Sequence, residues 1–295
     1  MRLTTLRQGA AVLGAEGAHL LHVPLSEVIA LGLDRALEVG AEALADDPVP
    51  YDDDDDLLLP FRPAAIRDFV TFESHVEGVR RSVDRASGVP EAWYDAPTFY
   101  FTNPHALYGP GAAVPRPASC RALDFELEVG VVLGRGGSSL SKEAAADAIF
   151  GYTIVNDWSA RDLQSREMQV GLGPAKGKDF ATSIGPWIVT ADELAPYADA
   201  DGHLDLECRV SVNGELVGRD RLSHMRWTFA EMIAYASRDS LVVPGDLLAS
   251  GTTGGGGCLA ELWGRRGEQT PPPLEPGDVV TMDVEGIGTL VGSVA

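Results

Sequence analysis

The chain has 295 residues, 45% of them hydrophobic, which suits one large domain or a large one with a small appendage and excludes a disordered chain. A formal net charge of −21 argues against nucleic acid or an anionic membrane as a standing partner. Three scattered cysteines exclude a disulfide scaffold, no C-x-x-C pair suggests zinc, and no signal-peptide core or long apolar span occurs, so a soluble cytoplasmic protein is expected.

Residues 1–60 read as a small unit of their own. Positions 3–13 and 19–23 read as short strands joined by a turn around Gly17-Ala18. Residues 26–45 are rich in Ala, Leu and Glu with apolar spacings of three and four, which predicts a helix with Ser26 as its N-cap. Residues 48–56 combine proline with acid in a linker-like stretch, and the run of acids at 52–56 reads as a solvated loop. From there to the C-terminus, strands outnumber helices and are punctuated by Gly and Pro. This predicts a mixed α+β, β-rich domain over 61–295 rather than a doubly wound one, and no fixed repeat suggests a solenoid or propeller.

Within that region, Asp68 and His75 are seven residues apart, which on a helix puts them two turns apart on one face. Residues 123–133 alternate Leu, Phe and Val with other residues, predicting a strand with one apolar face. Asp124, Glu126 and Glu128 then share the opposite face. Like charges in a row repel there; a solvated edge explains them, and so does a divalent cation that turns the repulsion into attraction. Residues 153–155 predict a second strand running into Asp157, which reads either as the N-cap of a following helix or as part of a site. Asp157, Arg161 and Gln164 fall at i, i+4 and i+7, a spacing that brings acid, guanidinium and amide to one face.

Residues 172–182 form a Gly-rich basic loop that does not satisfy the phosphate-binding pattern G-x-x-x-x-G-K-[ST], so nucleotide cradling is rejected. Residues 204–212 and 279–284 predict strands, with a hairpin turn at Glu285-Gly286. The glycine run at 251–257 reads as a flexible turn or as backbone approaching a ligand. Residues 258–263 read as a strand carrying one acid, Glu261, which needs a cation or a histidine as partner.

Several of these segments, in this order, resemble the fumarylacetoacetate hydrolase superfamily: Asp68 with His75, Asp124-Phe125-Glu126-Leu127-Glu128, Asn156-Asp157-Trp158-Ser159-Ala160-Arg161-Asp162-Leu163-Gln164, Gly177-Lys178, and Pro244-Gly245-Asp246 through Gly251-Thr252. The resemblance covers about residue 57 to the end, including Leu274-Glu275-Pro276-Gly277-Asp278 and Glu285-Gly286-Ile287-Gly288. It implies the family's mixed-sheet β-roll with a small N-terminal domain, a homodimer, and a divalent cation (Mg²⁺ or Mn²⁺, or Ca²⁺) held by Asp68, Glu126, Glu128 and Asp157.

It further implies that His75, with Glu261 as its acid partner, activates water. Arg161, Gln164 and Lys178 are implied to stabilise negative charge on a small acidic 1,3-dicarbonyl substrate, Tyr100 and Thr252 to contact that substrate, and Thr182 to lie near the metal. The expected activity is hydrolysis of a carbon–carbon bond. Decarboxylation or isomerisation of an oxo-dicarboxylic acid in aromatic catabolism is the alternative, and a catalytically silent metal- or ligand-binding protein is the reading from another class. The sequence departs from the pattern at Thr252-Thr253-Gly254, which lacks the usual serine, and at residues 103–109, where His105 could add a pocket contact. Arg80 and Arg81 could bind a distal carboxylate.

Overall fold

The computed structural model describes residues 1–52, 56–84 and 86–295; the middle of the acidic run lies outside these, and with it the loop expected there. The elements that position the site are β1 (Arg2–Leu6), β2 (Gly9–Leu13), β3 (Ala18–Leu20), α1 (Leu25–Ala30), α2 (Leu33–Ala43), β4 (Ile66–Phe69), α3 (Glu73–Val79), β5 (Phe99–Thr102) and β6 (Leu127–Leu133). They continue with β7 (Ile149–Asp157), α4 (Arg161–Met168), β8 (Thr182–Thr190), β9 (Glu207–Val212), β10 (Glu215–Arg221), β11 (Leu247–Ala249), α5 (Leu259–Arg266), β12 (Val279–Val284) and β13 (Gly288–Val294). The class is mixed α+β and strand-rich, as the sequence predicts. Among the described residues no helix is long and apolar enough to cross a membrane.

One ten-stranded mixed sheet runs β3-β2-β1-β8-β7-β6-β11-β4-β5, with the short Leu107–Tyr108 strand parallel to β8. β4 and β11 are parallel, and β11 is antiparallel to β6. A second, five-stranded sheet runs β10-β9-β12-β13, with Ala113–Val114 at its edge. Side-chain alternation divides the core in two. Leu127, Val129, Val131 and Leu133 pack with Cys208, Val210, Val280 and Met282 of the second sheet. Val132, Val155, Leu247 and Ile66 pack on the other side with Leu25, Val28 and Ile29 of α1. β1 hydrogen-bonds to β8, so the first strands continue the large sheet.

Several local expectations change. The helix read over 26–45 is two helices broken at Gly32, whose φ of 80° only glycine adopts freely, and Ser26 lies inside α1 behind a Pro24 N-cap. The strand read over 123–133 breaks at Phe125 and Glu126: Leu123–Asp124 pairs with Ser159–Ala160, and β6 begins at Leu127. Its apolar residues do share one face, but the three acids opposite are buried rather than solvated. Asp68 lies on β4 and His75 on α3, so they share no helix. Asp157 ends β7, and the helix after it starts at Arg161 without a side-chain cap. Residues 259–266 are helical, with Cys258 at the N-cap where its Sγ accepts from Glu261 N at 3.4 Å.

Candidate active site

The end of the large sheet assembles a carboxylate cluster by register. Val155 on β7 is paired with Glu128 on β6, and Asp68 on β4 with both Ala249 on β11 and Tyr100 on β5. Alternation therefore carries the apolar columns of Ile66 and Val155 into Asp68 and Asp157 on the same face. Tyr100 donates its hydroxyl hydrogen bond to Asp68 Oδ2 at 3.0 Å and also contacts Asp157 Oδ2. Thr252, in the turn after β11, donates to Glu128 Oε1 at 3.4 Å. Asp68, Glu126 and Glu128 bring carboxylate oxygens within 4.8 Å of one another.

Two helices and a loop supply the other groups. Lys178 Nζ bridges Asp157 Oδ2, at 2.5 Å, and Glu126 Oε2. Its loop can reach this depth because Gly177 lies against α4: a Cβ there would stand 2.7 Å from Gln164 N. Arg161 Nε donates to Asp124 Oδ2 at 2.8 Å, its Nη2 lies 2.7 Å from Glu126 Oε1, and its Nη1 donates to Gln164 Oε1 at 3.0 Å. Asp124 also accepts from the backbone N–H groups of Leu259 and Ala260 at 2.8 and 2.9 Å. One carboxylate thus fixes Arg161 and the N-terminus of α5, where negative charge is favoured.

α5 in turn places Glu261 beside His75. The helices cross in close contact, since a Cβ on Gly78 would lie 2.5 Å from Glu261 Cγ and one on Gly264 would lie 1.8 Å from Gly78 O. His75 Nδ1 stands 3.9 Å from Glu261 Oε2 and 3.7 Å from Cys258 Sγ, so the histidine and the acid are neighbours without a hydrogen bond.

Charge in this site is unbalanced. Asp68, Asp124, Glu126, Glu128 and Asp157 are buried against the buried cations Arg161 and Lys178. Burial, then the charges of Asp68, Glu126 and Asp157, push the Glu128 carboxyl well above the usual range. Burial and then Asp157 do the same to Asp68, while for Asp157 burial outweighs the pull of Lys178. Burial would raise Glu126 too, but Lys178 and Arg161 together hold it low. Glu128 Oε2 and Asp157 Oδ1 are buried with no hydrogen-bond partner. Orphaned, mutually repelling carboxylate oxygens are the donor set that a hard divalent cation requires, and the residues fit one. Burial lowers His75 to about 3, which leaves its imidazole neutral near pH 7. Burial also raises Glu261 to about 7, against the pull of Arg265.

A cavity of about 450 Å³ opens onto this cluster, and His75, Asp68, Glu126, Tyr100, Arg161, Gln164, Lys178 and Thr252 line it. Glu128 and Asp157 lie behind that surface, and Glu261, fully buried, reaches it only through His75. Thr182 is buried opposite Asp157 across β7 and β8. His105 is exposed and does not line the cavity, and Arg81 pairs with Glu77 at the surface. The glycine run packs against protein: a Cβ at Gly255 or Gly256 would strike the backbone of β10. Sequence reasoning missed Asp124's hold on α5, the N-cap role of Cys258, and the apolar side of the cavity, including Val79, Trp93 and Met168. The first depends on contacts more than a hundred residues apart; the second is a local bond, three residues long, that the strand reading of 258–263 hid; the Ala-Trp-Tyr segment at 92–94 carried a local signal for the third.

A family model described as "Fumarylacetoacetate (FAA) hydrolase C-terminal" matches residues 64–295. Protein Rv2993c of Mycobacterium tuberculosis is 36% identical over 198 residues, covering 67% of this chain and 66% of that one. Fumarylacetoacetase of Bos taurus is 31% identical over 251 residues, covering 68% and 60%. The chain therefore matches less than two thirds of the length of these relatives. The crystal structure of 5-carboxymethyl-2-hydroxymuconate delta-isomerase from Mycobacterium smegmatis aligns with a TM-score of 0.68 at 27% identity, covering 100% of this chain and 98% of that one.

Proposed function

Because this chain belongs to the fumarylacetoacetate hydrolase family, we propose that it hydrolyses a carbon–carbon bond in a small acidic 1,3-dicarbonyl compound with a divalent cation, Mg²⁺ or Mn²⁺, held by Asp68, Glu126, Glu128 and Asp157. One observation carries this reading: Asp68 and Glu126, the cavity-lining members of an overcharged and partly unsatisfied carboxylate cluster, share that cavity with the buried, neutral His75. A cation bound there supplies Lewis-acid polarisation of the substrate oxygens and offsets the carboxylate charge.

The chain's own groups do the rest. His75, neutral near pH 7, takes a proton from water, and the hydroxyl oxygen bonds to the carbonyl carbon. The adjacent carbon–carbon bond then breaks, its electron pair leaving as an enolate on the second fragment, and that fragment regains the proton as a C–H bond. Arg161 occupies the carbonyl end of Gln164, so the Gln164 NH₂ can donate to an oxygen that gains charge. Lys178 stays charged, because Asp157 and Glu126 outweigh the effect of burial, and adds a second donor.

The test is product analysis. EDTA-stripped protein is given acylpyruvates with and without Mg²⁺ or Mn²⁺, and metal-dependent release of pyruvate and a simple carboxylic acid is expected. His75→Ala should lower kcat by about 10²–10⁴-fold while calorimetry shows unchanged metal affinity. Full turnover by that variant would exclude the hydrolytic mechanism. A second reading, metal-assisted isomerisation, is favoured by the 27% identity to the M. smegmatis isomerase and by the lack of a hydrogen bond between His75 and Glu261. Bond migration without fragmentation would select it.

A further inference from the structure

We infer that the far end of the substrate is an apolar acyl chain or ring rather than a second carboxylate; the inference rests on the dicarbonyl-hydrolase reading of the same cavity. Both lining helices change character along their length. On α4 the cavity face carries Arg161, Gln164 and Met168, and their exposure rises from 4% and 7% to 37%. At 1.5 Å per residue, Met168 stands about 10 Å along the axis from Arg161. On α3, His75 gives way to Val76 and Val79. Apart from Arg80, the ionic groups therefore sit at the deep end, with hydrocarbon toward Val79 and Met168.

The opposite wall is apolar too. Trp93 lines it with its ring, because its indole N–H is committed to Val70 O at 2.7 Å. Phe99 also lines the cavity, packed on Phe69 with centroids 5.1 Å apart. Among the described lining residues the cations are Lys178, Arg161 and Arg80. The first two belong to the carboxylate cluster. Arg80 Nη1 donates to its own loop, to Gly88 O at 2.5 Å and Ser87 O at 3.3 Å.

A terminal carboxylate seated here would give up water and have to draw Arg80 from its loop carbonyls, whereas each methylene would cover carbon already facing the cavity. A second feature agrees. Val170 and Leu172, 73% and 74% exposed, immediately precede the lining residues Gly173 and Pro174 in the chain and add exposed apolar surface there.

The experiment uses the Mn²⁺-loaded protein with 2,4-diketo acids bearing methyl, butyl and phenyl tails, and with tails of matched length ending in a carboxylate. kcat/KM is expected to rise about fourfold per methylene, with the carboxylate-ended compounds at least about tenfold poorer. A flat series, or preference for the carboxylate, overturns the inference and leaves the hydrolase reading standing. If no compound is turned over, the hydrolase reading fails, and calorimetric affinities for the same series decide this point: rising with apolar length supports it, indifference or carboxylate preference overturns it. Val79→Lys places a free cation on the apolar wall and should shift the ratio toward the carboxylate-ended substrates by about tenfold; an unchanged ratio in the folded variant also counts against the inference.

Discussion

His75 touches the cavity and Glu261, its buried neighbour, does not; under the proposed mechanism the two would divide one task. Glu261, raised to about 7 by burial, is neutral below that pH and an anion above it, when it can hold the imidazole and strengthen it as a base. kcat/KM is therefore expected to climb through about pH 7. Glu261→Gln should flatten that limb and lower kcat about 10- to 100-fold; a pH profile identical to wild type would remove Glu261 from the reaction. His75 itself, lowered to about 3, contributes no limb near neutrality in the free protein. The acids of this site were legible in the sequence because charges spaced along apolar strands need partners. Asp124 was not legible in the same way. It looked like a third member of one acidic face, yet its oxygens are taken by Arg161 and by backbone N–H groups 135 and 136 residues away, which no local pattern encodes.

At the level of elements, the site depends on the crossing of α3 and α5. Gly78 is helical, so its value lies in the space it leaves rather than in its dihedral freedom. Gly78→Ala forces a methyl group against Glu261, and a loss of about 1–3 kcal/mol in urea unfolding is expected, with reduced kcat and unchanged metal affinity. Equal stability and kcat would mean that the crossing can open at no cost. Period-two alternation made β6 readable, whereas β7 showed only its apolar stretch at 153–155 and β8, interrupted by Gly185-Pro186, gave no strand signal. Short elements were not readable: over residues 66–79 a strand of four residues, a turn and a helix of seven give no stable period, so the seven-residue spacing of Asp68 and His75 looked helical. Residues 258–263 misled for a related reason. A cysteine N-cap followed by an apolar run imitates a buried strand until its glycine-rich approach is seen packed against β10.

For the whole molecule, a cation held by the carboxylate cluster would couple metal binding to folding. A carboxyl whose folded value exceeds its unfolded one stabilises the fold while protonated. That contribution is complete below the unfolded value and is lost as pH rises through the folded one. Asp68 and Glu128 are in this position, so the cation-free protein loses their contribution as pH climbs above the ordinary carboxylate range. Cations bind the ionised form and compete with those protons. The melting-temperature difference between Mg²⁺ and EDTA samples should therefore widen from about pH 5 to about pH 8. A difference that stays constant or narrows would exclude these carboxylates as ligands.

The junction of β1 with β8 has a consequence for how the chain can be divided. Every candidate site residue lies within residues 64–295, yet β8 has part of its length covered from outside that segment: Arg2 and Leu3 pair with Val189 and Ile188, while Leu107 and Tyr108 cover only Thr182 and Ser183. Cutting the chain before residue 64 would strip Leu25, Val28 and Ile29 from the core and leave a hydrophobic strand with unpaired backbone groups open to other chains. The piece that carries every candidate site residue would then offer an open edge for self-association, so β1 and α1 act as the sheet's hem.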